Sequence, residues 1–468
     1  MACPRYAFTL LLSAFLLRAQ APAPLPEPPA AIGTAELQAR RAALVQAIRT
    51  RQPDGGFVVL LRGNAGGNDM GAFVQDQDFL YQTGVQEPGL ALLLVAGADG
   101  ELTTDELLVP PFSRFAATWD GAFLAPGAES ARRTGFATVG NVRGLAERLT
   151  DLLPAGTDGK RPVLYTLTRP AARIGSTPSK AASAAENQQK DLFDGRPSRE
   201  DALAEFLAKA HPGLTVASIE PLLHPLRHHK SPAEVALLRA SSQAACAGIA
   251  EAMRSAAPGR YEYHLAAAAR YVFALHGSGP DAYAAIVGAG PNGCVLHYSK
   301  NDRRLRDDDL IVMDYAPTLH GYASDVTRTF PASGTFSPAQ RKLVQDVCDV
   351  QAALLANVKP GAKLSALGRQ CAQLLQERGY QSDHGPCHHV GLAVHDPSVD
   401  ELQPGMVITV EPGAYLREQG MGCRIEDTVL VTATGCEILS TGVPKTPDAI
   451  EALMREPGVL DRPLGGGK

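Results

Sequence analysis

The sequence has no strong excess of charge of either sign. Its 44 basic and 49 acidic side chains leave a formal net charge of −5 over 468 residues. Proteins that bind nucleic acid or anionic membranes through their overall charge are usually basic. We therefore expect no nucleic acid among the partners of this chain.

Long apolar runs are also scarce. The first one, Ala7–Leu17, follows Arg5 and precedes a segment of small residues, a pattern typical of a cleavable export signal. The run is about half as long as the ~20 residues that a membrane-spanning helix needs, and no later segment is apolar enough to span a bilayer. We expect residues 1–21 to be a signal peptide, residues 22–34 to be a Pro/Ala-rich linker, and the mature chain to be secreted or periplasmic without stable membrane insertion. A buried first helix or a retained anchor is the alternative.

Paired cysteines are missing as well. Cleavage after residue 21 would leave seven scattered cysteines, none with C-x-x-C spacing. An odd, scattered set does not form a disulfide framework. We expect small buried hydrophobic side chains, although one or two bridges stay open in an oxidising compartment.

The length of the chain predicts two or three domains. Short apolar strands alternate with helices in the first half, which indicates an α/β amino-terminal domain over residues 35–222. Within it, the polar stretch Ser183–Arg199 is predicted to be a loop before a helix at Glu200–Ala210. The domain junction is predicted near Leu226–Ser231.

The second domain is predicted over residues 223–460. Its first helix should begin after Ser231, because Pro232 and Glu234 complete a typical helix start, and should extend to about Ala256. Strands and two further helices follow.

A pair of aspartates lies in a predicted β-hairpin. An apolar strand ends at Asp314, a Pro/Gly turn follows, and a second strand contains Asp325. A turn centred between Leu319 and His320 sets the two aspartates directly opposite each other. Cβ atoms of such partners are roughly 4.5–5.5 Å apart, and like charges there are unfavourable. A cation between them would remove the conflict, whereas a solvated hairpin with its acids in water is the alternative.

Two glutamates share this apolar setting. Glu411 ends a β-branched run, and Glu426 lies in a predicted strand, Cys423–Val431, on the same face as Arg424. Buried carboxylates are rare unless they are paired or bind metal. Four of them in apolar strands therefore favour a metal site.

Histidines are concentrated in one short segment. His384, His388, His389 and His395 fall within twelve residues, and Pro386 excludes the helical pattern of two zinc-binding histidines four residues apart. Acid–base catalysis and plain exposure are open to any one of them. Beside four buried acids, we expect one histidine to bind metal and others to contact substrate.

Four carboxylates and one imidazole form an oxygen-rich ligand set. With two carboxylates bridging, they suit two divalent ions about 3.5–4 Å apart. Manganese is our first expectation, with cobalt or zinc as alternatives, since ligand softness alone does not choose. A water between the ions would lose a proton near neutral pH and attack an amide.

The order and contexts of these residues resemble the pita-bread metallopeptidases of family M24, and within them Xaa-Pro aminopeptidase P. The contexts are Met-Asp-Tyr-Ala, Ser-Asp-Val-Thr-Arg, His-Val-Gly-Leu, Val-Glu-Pro-Gly and Arg-Ile-Glu-Asp, and Gln77–Gly84 resembles the amino-terminal domain of that family. The resemblance implies an α/β amino-terminal domain and an α+β catalytic domain with a curved antiparallel sheet. It also implies peptide substrates with proline second, cleaved by a hydroxide that bridges two metal ions, and a homo-oligomer, dimer or tetramer.

The resemblance further implies a role for each ligand. Asp314 would chelate one ion, and Asp325 and Glu426 would bridge both. His388 and Glu411 would complete the other ion, and Glu411 would also carry a proton from water to the leaving nitrogen.

Other residues match substrate positions of that family. His297, His384 and His395 would contact the scissile carbonyl and the substrate backbone. Arg424 and Tyr415 match positions beside the ligands and in the substrate pocket.

Two residues of the amino-terminal domain match positions near a neighbouring subunit. Trp119, the single tryptophan, would line that subunit's proline pocket, or else pack in a core or interface. Asp78 would reach that subunit's site, or else cap a helix.

The nearest alternative function is that of prolidase, which cleaves Xaa-Pro dipeptides and would use the same metal centre. A non-catalytic binding protein on the same fold is a further alternative. Such relatives typically lose ligands, however, and all five are present here.

Overall fold

The computed structural model describes residues 27–66, 73–99, 101–154, 161–170 and 177–462. The predicted signal peptide and the first part of the predicted linker lie outside the described residues. No helix in the described part of the chain combines the length and apolarity that crossing a bilayer requires.

The amino-terminal half alternates strands and helices. Its elements are α1 (Thr34–Arg51), β1 (Phe57–Arg62), α2 (Gln77–Thr83), β2 (Ala91–Ala96), β3 (Leu102–Val109), α3 (Arg114–Trp119), α4 (Ala128–Thr134), β4 (Thr138–Asn141), α5 (Leu145–Leu152), β5 (Val163–Thr166), α6 (Pro178–Lys190), α7 (Arg199–Ala210), β6 (Val216–Ser218) and α8 (Glu220–His228). The predicted α/β pattern is confirmed.

The six strands form one mixed sheet in the order β4-β3-β2-β1-β5-β6. β2 pairs antiparallel with β1 and β3, whereas β1–β5, β3–β4 and β5–β6 are parallel. The central strands β1 and β2 are almost wholly buried, which explains their continuous apolar sequences.

One secondary-structure prediction in this half is wrong. The stretch Ser183–Arg199 is not a loop throughout, because its first part belongs to α6. Thr177 caps this helix through its side chain and Pro178 occupies the first turn. These start signals precede the polar stretch, whose composition alone suggested a loop.

The carboxy-terminal half begins with two long helices and continues mainly with short strands. Its elements are α9 (Pro232–Arg254), α10 (Glu262–Leu275), β7 (Ile286–Ala289), β8 (Leu310–Asp314), β9 (Thr318–Leu319), β10 (Tyr322–Ala323), β11 (Thr327–Pro331), α11 (Pro338–Leu355), α12 (Leu364–Gln376), β12 (Val407–Val410), β13 (Gly413–Leu416), β14 (Met421–Arg424), β15 (Asp427–Val431), β16 (Cys436–Ile438) and α13 (Pro447–Met454).

The strands of this half pair antiparallel, as predicted. β8 lies between β7 and β11, β15 lies between β12 and β16, and β9–β10 and β13–β14 form two-stranded pairs. α9 starts with the predicted cap, in which Ser231 and Glu234 each accept a backbone N–H bond from the other. Two of the predicted ligands lie at strand ends, since Asp314 is the last residue of β8 and Glu411 directly follows β12.

The two halves share a hydrophobic cluster. It contains Leu44 of α1 and Phe79 of α2 together with Leu237 of α9, Tyr322 of β10 and Val390. The helix α8 crosses the predicted boundary between residues 222 and 223. The predicted domains are therefore joined through a helix and a common apolar core.

Candidate metal centre

The aspartate hairpin exists, but its predicted register is wrong. Asp314 pairs with Thr327, not with Asp325. The turn is centred between His320 and Gly321, whose φ angles of 47° and 87° are both positive, as a tight two-residue hairpin turn requires. Glycine favours that conformation, and this preference moves the turn by one residue.

The two aspartates nevertheless meet at Tyr283, a residue that the sequence patterns did not indicate. The Tyr283 hydroxyl lies 2.6 Å from Oδ1 of Asp314 and 2.6 Å from Oδ1 of Asp325. Burial, followed by the charges of these two carboxylates, raises the pKa of Tyr283 well above its ordinary value. One hydroxyl carries one hydrogen, so it donates to only one of the two acids at a time.

His388 lies between Asp325 and Glu411. Its Nε2 atom is 3.4 Å from Oδ2 of Asp325 and 3.3 Å from Oε1 of Glu411. Its Nδ1 atom is 3.2 Å from the carbonyl oxygen of His389, which only accepts hydrogen bonds. Nδ1 therefore donates there, and in the neutral ring the lone pair of Nε2 faces two carboxylate oxygens. A cation among these three atoms would resolve their repulsion.

The loop that carries His388 is fixed to the strand that precedes Glu411. The His388 N–H donates to Oγ1 of Thr409 at 3.0 Å, and the Thr409 N–H donates back to the His388 carbonyl at 2.8 Å. The Glu411 N–H in turn donates to the Pro386 carbonyl at 2.8 Å. These backbone bonds hold imidazole and carboxylate at one edge of β12.

Glu426 lies at a break between β14 and β15, so the predicted strand Cys423–Val431 is not continuous. Its Oε2 atom accepts a bond of 2.6 Å from the Thr327 hydroxyl. Its Oε1 atom is buried and has no hydrogen-bond partner among the described residues. A buried carboxylate oxygen without a donor is costly, which makes Oε1 a fitting ligand for a cation.

The acids of the centre oppose one another's charge. Burial raises the pKa of Asp325 and of Glu426 well above the ordinary values, and the neighbouring carboxylates raise them further. Atoms of Asp325, His388 and Glu426 all lie within 4.8 Å of one another. The donor set and its charge therefore fit divalent metal ions.

Arg424 connects Asp314 to the pocket wall. It donates to Oδ2 of Asp314 at 2.7 Å, to the Thr327 hydroxyl at 3.1 Å and to the Tyr415 hydroxyl at 3.1 Å. Burial opposes its charge, but Tyr415, Asp314 and the nearby glutamates raise its pKa well above the ordinary value. Arg424 is therefore a permanent cation that orients Asp314.

Two of the predicted substrate histidines lie beside the centre. Nδ1 of His384 is 3.7 Å from Oε2 of Glu411, and its Nε2 is 3.0 Å from the Tyr415 hydroxyl. The ring of His395 stacks on that of His388 with centroids 3.9 Å apart. Burial, followed by His388 and His297, lowers the pKa of His395 to about 3, so its ring is neutral at physiological pH.

The third histidine, His297, lies at the rim. Nζ of Lys180 is 3.4 Å from its Nδ1. A lysine ammonium only donates, so Nδ1 accepts, and the hydrogen of the neutral ring is on Nε2. Burial, followed by Lys180 and Arg424, lowers the pKa of His297. Sequence patterns gave no sign of Lys180.

Trp119 and Asp78, the two residues singled out in the amino-terminal half, differ in exposure. Trp119 is 73% exposed, and its ring lies 5.9 Å from that of the exposed Phe115, so the predicted alternative of packing in the core of this chain is wrong for Trp119. Asp78 does not cap a helix either. The cap of α2 is Asp76, which accepts the Phe79 N–H, and Asp78 is buried against Arg227 and His224 of its own chain.

A cleft of about 600 Å³ lies between the two halves, and His388 is the one proposed metal ligand among its lining residues. One wall includes Asp78, Arg169 and His224, and the other includes His388 and His395. The cleft therefore reaches the centre at His388, and its volume is large enough for a short peptide.

The seven described cysteines are all free. Five of them are buried, including Cys371 and Cys423. They fit the expected role of small hydrophobic side chains.

Comparisons with known proteins define the class. Residues 236–433 match the model of metallopeptidase family M24, and residues 37–159 match that of the aminopeptidase P amino-terminal domain. Xaa-Pro aminopeptidase from Escherichia coli (strain K12) is 37% identical over 274 residues, which are 51% of this chain and 62% of that enzyme. Intermediate cleaving peptidase 55, a mitochondrial protein of Arabidopsis thaliana, is 32% identical over 412 residues, 82% of this chain and 75% of that protein.

A solved structure agrees along nearly the whole chain. Zinc-substituted aminopeptidase P from E. coli, in complex with product, superimposes with a TM-score of 0.74 at 30% identity, covering 91% of this chain and 99% of that chain. Fold and centre together define a metallo-aminopeptidase that uses divalent metal ions. The chain belongs to the aminopeptidase P group of metallopeptidase family M24. The role of each individual ligand stays a prediction.

Proposed function

We propose that this protein removes the first residue of peptides whose second residue is proline, using two divalent metal ions. The observation that carries the proposal is the buried cluster of Asp325, His388 and Glu426 within 4.8 Å, with Oε1 of Glu426 lacking a donor. His388 of this cluster lines the cleft between the two halves, through which we expect the amino end of a peptide to reach the metal ions.

Five residues would hold the ions: Asp314, Asp325, His388, Glu411 and Glu426. Bound ions would supply a water acidified to near neutral pKa and polarisation of the scissile carbonyl. Manganese remains our first choice, with cobalt or zinc as alternatives. The zinc-substituted E. coli structure is one reason to test all three.

The chain's own residues would move the proton. The carboxylate oxygens of Glu411 lie 3.3 Å from Nε2 of His388 and 3.7 Å from Nδ1 of His384, so this carboxylate borders the cluster. We assign it the transfer of a proton from the attacking water to the leaving nitrogen. The nitrogen of an Xaa-Pro bond carries no hydrogen, so its departure as an amine requires such a donor.

The histidines would position the peptide. A neutral His395 and a neutral His297 offer ring N–H groups to carbonyl oxygens of the substrate. Arg424 keeps Asp314 in place and, through the Tyr415 hydroxyl, also orders the pocket wall.

Two wider proposals accompany this function. We propose export of the mature chain, because Arg5 and the run Ala7–Leu17 form a signal-like start; detection in the cytosol after fractionation would contradict it.

We also propose a homo-oligomer in which the exposed face of Phe115 and Trp119 meets a second copy. Light scattering that gave a monomer would contradict this.

Prolidase activity is the second candidate function, because the same centre would serve it. The test uses protein stripped by a chelator and refilled with manganese, cobalt or zinc. It is given an Xaa-Pro dipeptide, an Xaa-Pro-Yaa tripeptide and an Xaa-Ala-Yaa control. We expect cleavage of the tripeptide and little cleavage of the alanine control. Cleavage of the dipeptide alone would establish prolidase, and bound metal without any cleavage would indicate a binding protein.

A further inference from the structure

A lysine of the amino-terminal domain reaches the rim of the metal centre. Lys180 lies in the first turn of α6, and its ammonium group is 3.4 Å from Nδ1 of His297. His297 follows a short helix of the catalytic domain, Gly290–Cys294. The contact brings a positive charge from one half of the protein to the substrate side of the other.

The charge of Lys180 is not compensated by a nearby acid. Among the residues that the structure describes, no carboxylate lies within ion-pair distance of Lys180. In contrast, Lys190 at the other end of the same helix pairs with Glu186. Arg424 in the centre likewise pairs with Asp314 at 2.7 Å. An unpaired ammonium group beside a predicted substrate-binding histidine attracts anionic groups of a ligand.

Lys180 lies close to the centre through His297, which directly follows Leu296, whose carbonyl oxygen is 3.5 Å from Nη1 of Arg424. Burial, followed by the charge of Lys180, lowers the pKa of His297. His395 lines the cleft that opens between the two halves. An aminopeptidase holds the first residue at its metals, so the rest of the peptide must extend outward past these histidines.

The length of a short peptide fits this position. Two residues beyond the cleaved bond span about 7 Å in an extended chain. The terminal carboxylate of a tripeptide would therefore lie about 7 Å from the cleaved bond. We place this carboxylate on the side of the centre where the ammonium group of Lys180 meets His297.

We propose that Lys180 binds the terminal carboxylate of short peptide substrates and so gives this enzyme a preference for peptides with a free carboxyl end near the cleaved bond. The proposal rests on the proposed function and deepens it by specifying the length and charge of the substrate. Lys180 is a specificity-determining residue in this scheme, and the chemistry of bond cleavage does not depend on it.

The test compares the metal-loaded wild type with Lys180→Met, Lys180→Arg and Lys190→Met. Each is given an Xaa-Pro-Yaa tripeptide and the same tripeptide with an amidated carboxyl end. We expect the wild type to prefer the free acid. Lys180→Met should raise KM for the acid about tenfold, the loss of one charge-assisted hydrogen bond, and leave kcat and the amide unchanged. Lys180→Arg should retain most of the preference, and Lys190→Met, the matched control on the same helix, should behave as the wild type.

Calorimetry with the product Pro-Yaa and its amide provides a readout independent of turnover. We expect Lys180→Met to weaken binding of the acid alone. Equal losses on acid and amide, or a wild type that does not distinguish them, would overturn the proposal. A further pair of amidated tripeptides carries Glu or Gln as the third residue. If Lys180→Met affects only the Glu peptide, Lys180 contacts a side chain and not the terminal carboxylate, and the proposal is overturned. If the wild type cleaves neither peptide, the proposed function is refuted. Calorimetry with Pro-Yaa and its amide still tests carboxylate binding by Lys180 in that case.

Discussion

At the scale of single residues, the centre is organised by partners that are remote in the sequence. Thr327 donates to Glu426 and accepts from Arg424, while Tyr283 joins Asp314 to Asp325. The hydroxyl groups of Thr327 and Tyr283 are neutral, and each of them uses part of the hydrogen-bonding capacity of its charged neighbours. The charged atoms that remain free therefore point to a common space, which suits metal ions.

The residue most sensitive to substitution should be Glu411. Glu411→Gln keeps the size and one oxygen of the side chain but removes its ability to accept and return a proton. We expect kcat to fall by about a hundredfold to ten-thousandfold, with little change in the thermal midpoint. Turnover and metal content, measured on the same preparation, check this expectation.

A matched control is available nearby. Glu418 is exposed on the short helix Arg417–Gln419, and Glu418→Gln should change neither quantity. Wild-type turnover in Glu411→Gln with a full complement of metal would show that another residue carries the proton.

At the scale of elements, the turn between β9 and β10 is tightly constrained. A Cβ atom on Gly321 would lie 2.5 Å from Cδ2 of Leu80 in α2, and the backbone there has a φ of 87°. Gly321→Ala should therefore suffer the strain of about 1–2 kcal/mol for an L-residue in this region, together with the steric overlap. We also expect weaker metal binding, because Asp325 closely follows this turn along the chain and would move with it.

Gly334→Ala separates the two effects. Gly334 has a similar φ of 80°, but its nearest atom is Cβ of Met454 at 3.9 Å. Denaturant unfolding should show a smaller loss of stability for Gly334→Ala, and its metal affinity should remain that of the wild type. Equal losses in both variants would mean that the overlap with Leu80 is relieved without cost.

The elements themselves were largely predictable from the sequence. The start of α9 followed from Ser231 and Glu234, and the strands around the acids followed from their apolar runs. The hairpin register was predicted wrongly, because pattern alone does not locate the two residues that take positive φ. The residues Tyr283 and Lys180 could not be predicted, since contacts across elements leave no periodic trace in their own segments.

At the scale of the whole molecule, buried ion pairs connect the two halves. Arg227 of α8 lies 2.6 Å from Asp78 of α2 and forms a second pair with Asp396 of the catalytic domain, which Lys230 also contacts at 3.1 Å. Asp78 belongs to the amino-terminal half and Asp396 to the catalytic half, so the two carboxylate partners of Arg227 lie on opposite sides of the domain junction. The relative position of the halves, and hence the shape of the cleft, depends on this group.

Removing its central cation should be costly. Arg227→Met leaves Asp78 buried without its arginine, and we expect a loss of about 3–5 kcal/mol in the free energy of unfolding. Arg239→Met is the control, since Arg239 pairs with Glu437 at the surface and should cost about 0–1 kcal/mol. Urea unfolding of both variants checks the difference. Similar small losses would show that the buried pairs contribute little.

Acid should act on the same group. Burial alone would raise the pKa of Asp78 and of Asp396, but Arg227 and its neighbours lower both below the ordinary value of 3.8. The stabilisation is therefore complete above pH 3.8 and is lost as the pH falls toward the lowered values. Thermal midpoints of the wild type should drop over this range more steeply than those of Arg227→Met. Parallel curves for the two proteins would contradict the assignment.

The apolar cluster shared by both halves has a consequence for the history of such chains. Leu44 and Phe79 from one half belong to the same apolar cluster as Leu237 and Tyr322 from the other, so either half alone would expose an apolar face to water. A genetic exchange that replaced one half would have to bring a complementary apolar face with it. We expect the two halves to be inherited as a unit, and homologues that diverge in one half to carry compensating changes across the seam.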